Sequence, residues 1–81
     1  MLKIKDNVDL KELEKFGLDF KPNFYKEKEC YVIYKQDRFG QHYVKLSINI
    51  HTRLIRVSSS VEVIDTLFDL IQAGLVEKVG D

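Results

Sequence analysis

Between two runs rich in Val, Ile and Tyr stands Asp37-Arg38-Phe39-Gly40, and this tetrapeptide constrains the chain more than any other segment. Asp at the first position and Gly at the fourth suit a type I turn closed by a left-handed glycine, a hairpin connection with one extra residue. The turn predicts strands over 30–36 and 42–50 and sets their register. Asp37 then opposes Gln41, Tyr34 meets Val44, Val32 meets Leu46, and Cys30 meets Ile48. A second turn at His51-Thr52 leads into a third strand, 53–58, with Ile48 opposite Ile55 and Leu46 opposite Val57. The three segments carry the β-branched and aromatic residues that strands favour. Side chains alternate between the faces of a strand, so one face collects Cys30, Val32, Tyr34, Val44, Leu46, Ile48, Ile50, Ile55 and Val57. That face has no charge, and a one-residue slip at the first hairpin would bring Lys35 onto it.

Helices are expected on both sides of this meander. Asp9 followed by Glu12 has the spacing of a capping pair. Leu10, Leu13 and Phe16 repeat every third residue on one side, and Gly17 suits a left-handed helix end. A short helix over 10–16 follows, too short to be stable unless it docks. Pro22 excludes a helix through 21–23. Phe24 and Tyr25 are apolar, and 26–29 is a solvated charge run. The serines at 58–60 supply an N-cap for a longer helix, with Glu62 in its first turn. Val61, Ile64, Leu67, Phe68 and Ile71 form its expected core stripe. Gly74 ends it, and Leu75 and Val76 turn back onto the core. An edge strand is expected from Leu2 and Ile4, or else from Val76 and Val79. Residues 1–81 thus read as a single α+β domain: a short N-terminal helix, a three-stranded antiparallel meander, and a C-terminal helix packed on one sheet face.

The bulk properties narrow the class. Apolar residues make up 44% of the chain and charged residues 32%, the balance of a folded soluble domain. At 81 residues the domain has a modest stability, on the order of 5 kcal/mol. No apolar run reaches the ~20 residues of a membrane span, and the alternating start Met1-Leu2-Lys3-Ile4-Lys5-Asp6 is not a signal peptide. A single cysteine, Cys30, excludes an internal disulfide framework, and together these features predict a cytoplasmic protein. The formal net charge is zero but unevenly spread. Lys35, Arg38, Lys45, Arg53 and Arg56 face only Asp37 in the middle third. Glu62, Asp65, Asp69, Glu77 and Asp81 face only Lys78 near the end.

Reactive side chains are few. His42 and His51 sit at opposite ends of one strand, roughly 30 Å apart, and cannot share a metal or substrate within the chain. Cys30 points to the core face, where a thiol behaves as a small hydrophobe. Asp65 and Asp69 lack the ligand number that calcium requires. No phosphate loop, dinucleotide fingerprint or zinc motif is present. The sequence therefore predicts no enzyme, no metal and no cofactor.

The other sheet face is more informative. It carries Tyr31, Ile33, Lys35, Tyr43, Lys45, Ser47, Asn49, Leu54, Arg56 and Ser58, with Tyr31, Ile33, Tyr43, Lys45, Leu54 and Arg56 as the expected interaction residues. Such a surface suits a protein partner, self-association as a homodimer included. Mixed aromatic and basic faces also bind single-stranded nucleic acid, although its basic residues are few for phosphate-driven affinity. The N-terminal helix with Phe20, Phe24 and Tyr25 could instead cover this face, or extend the core on the first.

The opening Leu2-Lys3-Ile4-Lys5-Asp6-Asn7-Val8-Asp9-Leu10-Lys11-Glu12-Leu13-Glu14-Lys15-Phe16-Gly17 and the ending Leu67-Phe68-Asp69-Leu70-Ile71-Gln72-Ala73-Gly74-Leu75-Val76-Glu77-Lys78-Val79 resemble a group of short proteins of Gram-positive bacteria, their phages and integrated elements. The group has no assigned activity, and the resemblance brings no site residues with it. It implies a small cytoplasmic accessory protein of phage or mobile-element origin. The resulting expectation is a non-catalytic protein-interaction module, with a nucleic-acid-associated accessory protein as the alternative.

Overall fold

The computed structural model describes residues 1–22, 29–57 and 61–80, and the fold is α+β. The readings made for the serine cap at 58–60, for Phe24 and Tyr25, and for the charges at 26–28 lie outside the described residues. In chain order come β1 (Leu2–Ile4), a 3-10 helix (Leu10–Phe16), β2 (Asp19–Lys21), β3 (Cys30–Gln36), β4 (His42–Asn49), β5 (Ile55–Val57), α1 (Val61–Gln72) and β6 (Val76–Lys78). The expected three-stranded meander is too small. β3, β4 and β5 belong to an antiparallel sheet of order β2-β3-β4-β5, while β1 and β6 form a second, two-stranded sheet. The two candidate edge segments are not alternatives, because Leu2 pairs with Lys78 and Ile4 with Val76.

The first hairpin has the turn its residues demand. Asp37 N–H donates to the Gln41 carbonyl at 2.9 Å, Gly40 N–H donates to the Asp37 carbonyl at 3.1 Å, and Gly40 has φ 82°. The Asp37 carboxylate accepts from the N–H groups of Phe39 (2.8 Å) and Gln41 (2.9 Å), which locks the loop. Tyr34 opposes Val44 as expected, but the register then shifts between Ile33 and Tyr34. Lys45 is the inserted residue, so Ile33 meets Leu46, Val32 meets Ser47, Tyr31 meets Ile48 and Cys30 meets Asn49. From the bulge to the base of the hairpin, β3 has turned over relative to the expected arrangement.

The second connection keeps the expected pairs Ile48–Ile55 and Leu46–Val57. Its turn is longer than two residues. Arg53 N–H donates to the Asn49 carbonyl at 2.7 Å, and the Asn49 side-chain oxygen accepts from His51 N–H (2.8 Å) and Thr52 N–H (3.0 Å). Arg53 has φ 62°, a conformation that costs a side-chain-bearing residue about 1–2 kcal/mol. The strained residue is also a clamp. Its Nη1 donates to the carbonyls of Lys5 and Val8, each at 2.7 Å, and its own carbonyl accepts from Ile4 N–H at 2.9 Å. With the Lys3–Leu54 bridge, these bonds fasten β1 to the start of β5 and join the two sheets.

The short helix is a 3-10 helix rather than an α-helix. Its apolar residues recur every third position, which is the 3-10 period, so Leu10, Leu13 and Phe16 line up along one side. Asp9 caps it by accepting from Lys11 N–H at 3.0 Å. Both helices then end alike. Gly17 N–H donates to the Glu14 carbonyl and Leu18 N–H to that of Leu13; Gly74 N–H donates to Ile71 and Leu75 N–H to Leu70. This is the Schellman ending, in which the residue after the glycine packs back on the helix. It places Leu13 with Leu18, and Leu70 with Leu75, in or against one apolar cluster.

That cluster is the core. Tyr31, Leu46, Ile48 and Ile55 from the sheet meet Ile4, Leu13, Leu18, Val63 and Leu70. The N-terminal helix therefore packs on the same apolar cluster as α1, with Leu13 in it and Leu10 and Phe16 against it, on the side of β3 that carries Tyr31 and Ile33. Arg53→Ala is expected to lower stability by about 2 kcal/mol, the worth of hydrogen bonds to a charged group. Arg53→Gly, which removes the same bonds but relieves the left-handed backbone, should cost about 1 kcal/mol less. Urea unfolding of the two variants checks the order.

Candidate functional site

The six residues expected to form one interaction face do not share it. Tyr31, only 7% exposed, lies in the core cluster, and half-buried Ile33 packs against that cluster. Both sit on the core side because of the bulge at Lys45. Leu54 is half-buried beside β1, where it bridges to Lys3. Tyr43 and Arg56 are exposed, and Lys45 is half-buried in the bulge. The Tyr43 hydroxyl lies 3.1 Å from an Asp37 carboxylate oxygen and 3.2 Å from the Gln41 side-chain oxygen, so Tyr43 belongs to the hairpin end. On β3 both faces are covered: Cys30 and Val32, opposite to Tyr31, are fully buried too.

Cys30 is buried in β3, and His51 follows β4 with Nε2 3.3 Å from the carboxylate of Glu29, the residue before Cys30. The His42 side chain lies outside the described residues. Among the described residues no three His, Cys, Asp or Glu side chains gather as a metal site, and no helix is long and apolar enough to cross a membrane.

Burial pushes the Tyr31 phenol above its ordinary pKa of 10.0, and the Glu14 and Asp9 carboxylates push it the same way. A phenol held neutral in the fold while the unfolded chain ionises makes stability fall as pH rises above 10.0, until the pH passes the folded-state value. Lys3, whose pKa is raised chiefly by its hydrogen bond to Asp6, loses its contribution in the same alkaline direction. Tyr31→Phe should therefore show a shallower decline in urea midpoint above pH 10 than wild type, with the lysine component left in both. Equal slopes would show that the phenol is not the group responsible.

Two exposed features stand out. At the hairpin tip Phe39 is 79% exposed, with the Arg38 guanidinium 5.2 Å from its ring centre. On α1, Ile64, Phe68 and Ile71 are 55%, 57% and 45% exposed. The expected core stripe is corrected at Ile64, Phe68 and Ile71: the fully buried residues are Val63 and Leu70, Leu67 packs against the cluster as expected, and the Val61 side chain lies outside the described residues. At roughly 100° per residue, Ile64, Phe68 and Ile71 occupy the arc between that buried line and the exposed acidic line Asp65–Asp69. The apolar arc spans nearly half the helix circumference, wider than one packing seam uses. That width was the available signal in the sequence: a stripe at 64, 68 and 71 beside a second at 63, 67 and 70.

Comparison with protein-family models, with curated proteins and with solved structures found no match to this chain.

The two stripes should respond differently to truncation. Leu70→Ala is expected to cost about 2–5 kcal/mol, the range for emptying a buried leucine site. Phe68→Ser should stay within about 1 kcal/mol of wild type, because most of that ring already meets water. Thermal unfolding of both variants decides the assignment.

Proposed function

We propose that this protein is a non-catalytic protein-interaction module that binds through the outer side of α1. The observation that carries the reading is the exposed stripe Ile64, Phe68 and Ile71 on a helix already anchored by Val63 and Leu70. Scattered exposed hydrophobes are ordinary, but three in line on one rigid helix form the kind of patch that marks association sites. In a small domain, whose core is limited by its size, large apolar residues left outside the core represent stabilisation forgone. A cytoplasmic setting and an origin in a phage or mobile element belong to the same proposal, supported by the lone cysteine and by the wording of the two ends. Self-association is the simplest form such a module can take.

The test compares capture of native-cell proteins by wild type, by Phe68→Ser and by Phe39→Ser, with sedimentation velocity on each. A partner, or a dimer, retained by wild type and Phe39→Ser but lost in Phe68→Ser supports the reading. Identical behaviour of all three removes it.

A second reading has its own observation. The hairpin end presents Phe39 and Tyr43 exposed beside Arg38, a small aromatic and basic surface. Such surfaces stack single-stranded bases. Salt-dependent binding to oligonucleotides, weakened by Phe39→Ser and not by Phe68→Ser, would favour it, and no binding at low salt would end it.

A further inference from the structure

Among the described residues of α1, the charge beside the exposed stripe lies on one flank and has one sign. Asp65 and Asp69 are exposed along its outer flank, and α1 carries no Lys, Arg or His. Among the described residues, the 3-10 helix and β6, both packed against α1, do not offset this. In the 3-10 helix Lys11 and Lys15 balance Glu12 and Glu14, with Lys15 held by Glu12 at 2.9 Å; in β6 Lys78 balances Glu77. The outer surface of α1 is therefore apolar with an acidic margin.

That arrangement discriminates between occupants. In an antiparallel pair of identical helices centred near Phe68, Ile64 of one copy would meet Ile71 of the other. The same geometry would gather Asp65 and Asp69 of both copies along one side of the seam, with no cation on the helix to relieve them. Like charges so placed oppose the pairing. A segment with the same apolar spacing but lysine or arginine beside it meets the stripe and neutralises the margin at once.

Building on the interaction reading above, we infer that the occupant of this surface is a cationic amphipathic helix of another protein. It lays its apolar side along Ile64, Phe68 and Ile71 and its basic side against Asp65 and Asp69, the helix-on-helix mode of recognition. The acidic margin sets the preference and the on-rate, and the stripe supplies the burial. Because the charges are exposed, the preference weakens with salt.

The experiment titrates the full chain with two synthetic helical peptides about 18 residues long. Both carry leucines at i, i+3, i+4 and i+7; one has lysine at the remaining positions and the other glutamate. Fluorescence anisotropy reads binding, at low and at high salt. Wild type is expected to bind the lysine peptide at least about fivefold more tightly than the glutamate peptide, as two exposed ion pairs would give. The double variant Asp65→Lys/Asp69→Lys should invert the preference, and Phe68→Ser should weaken binding of the favoured peptide. Circular dichroism and unfolding midpoints establish that the variants keep the fold. Equal binding of both peptides, an uninverted preference in the charge-reversed variant, or no binding at millimolar peptide overturns the inference. Stripe-dependent capture of another protein would in that case still leave the interaction reading standing. A wild-type dimer dissociated by Phe68→Ser also overturns it, and assigns the stripe to a second copy.

Discussion

One inserted residue, Lys45, decides which side chains the four-stranded sheet offers its core. On the turn side of the bulge the pairs follow from Asp37 and Gly40. Beyond it, β3 is rotated relative to β4 by one position, and a shift of one position exchanges the two faces of a strand. Tyr31 and Ile33 thereby join Leu46, Ile48 and Ile55, and Phe20 of β2 follows, its ring 5.5 Å from that of Tyr31. The packing of both helices depends on that choice, because Leu13, Val63 and Leu70 all seat on the face it creates.

The features written in short-range chemistry could be read before folding. The Asp37–Gly40 hairpin, the Asp9 cap, the glycine endings at Gly17 and Gly74, and the pairs Ile48–Ile55 and Leu46–Val57 each depend on a few neighbouring residues. The bulge could not be read that way. Cys30, Tyr31, Val32 and Ile33 are all apolar, so neither alternation places a charge in the core, and the pattern is that of a strand covered on both faces. The candidate interaction face fell with it, since half of its apolar content came from Tyr31 and Ile33. β2 was missed for a related reason: Asp19-Phe20-Lys21 is too short to show a period, and only its pairing with β3 defines it.

The helix α1 illustrates a second limit. Two adjacent apolar stripes are both consistent with a helical period, and periodicity alone does not say which one docks. The Schellman ending does. Folding Leu75 back onto Leu70 fixes the rotation of the helix about its axis, because the hydrogen bond from Leu75 to the Leu70 carbonyl and the apolar contact must form on one side. Leu70 then faces the core, and Ile64, Phe68 and Ile71 are turned outward. The same logic at Gly17 and Leu18 orients the 3-10 helix.

The pairing of β1 with β6 carries a consequence for the order of assembly. These strands lie at opposite ends of the described chain, so their ladder is the least local in the molecule. On a ribosome, residues 2–4 emerge long before 76–78 exist. β1 need not wait exposed, since the Arg53 carbonyl, its guanidinium and Leu54 offer it a berth on the finished hairpin. Closure of β6 then bridges a gap that earlier contacts have already shortened, and the entropy of closing a loop grows only by about 0.6 kcal/mol for each doubling of its length. Arg53, strained in isolation, is in this sense a waypoint: it converts one very long-range association into two shorter ones.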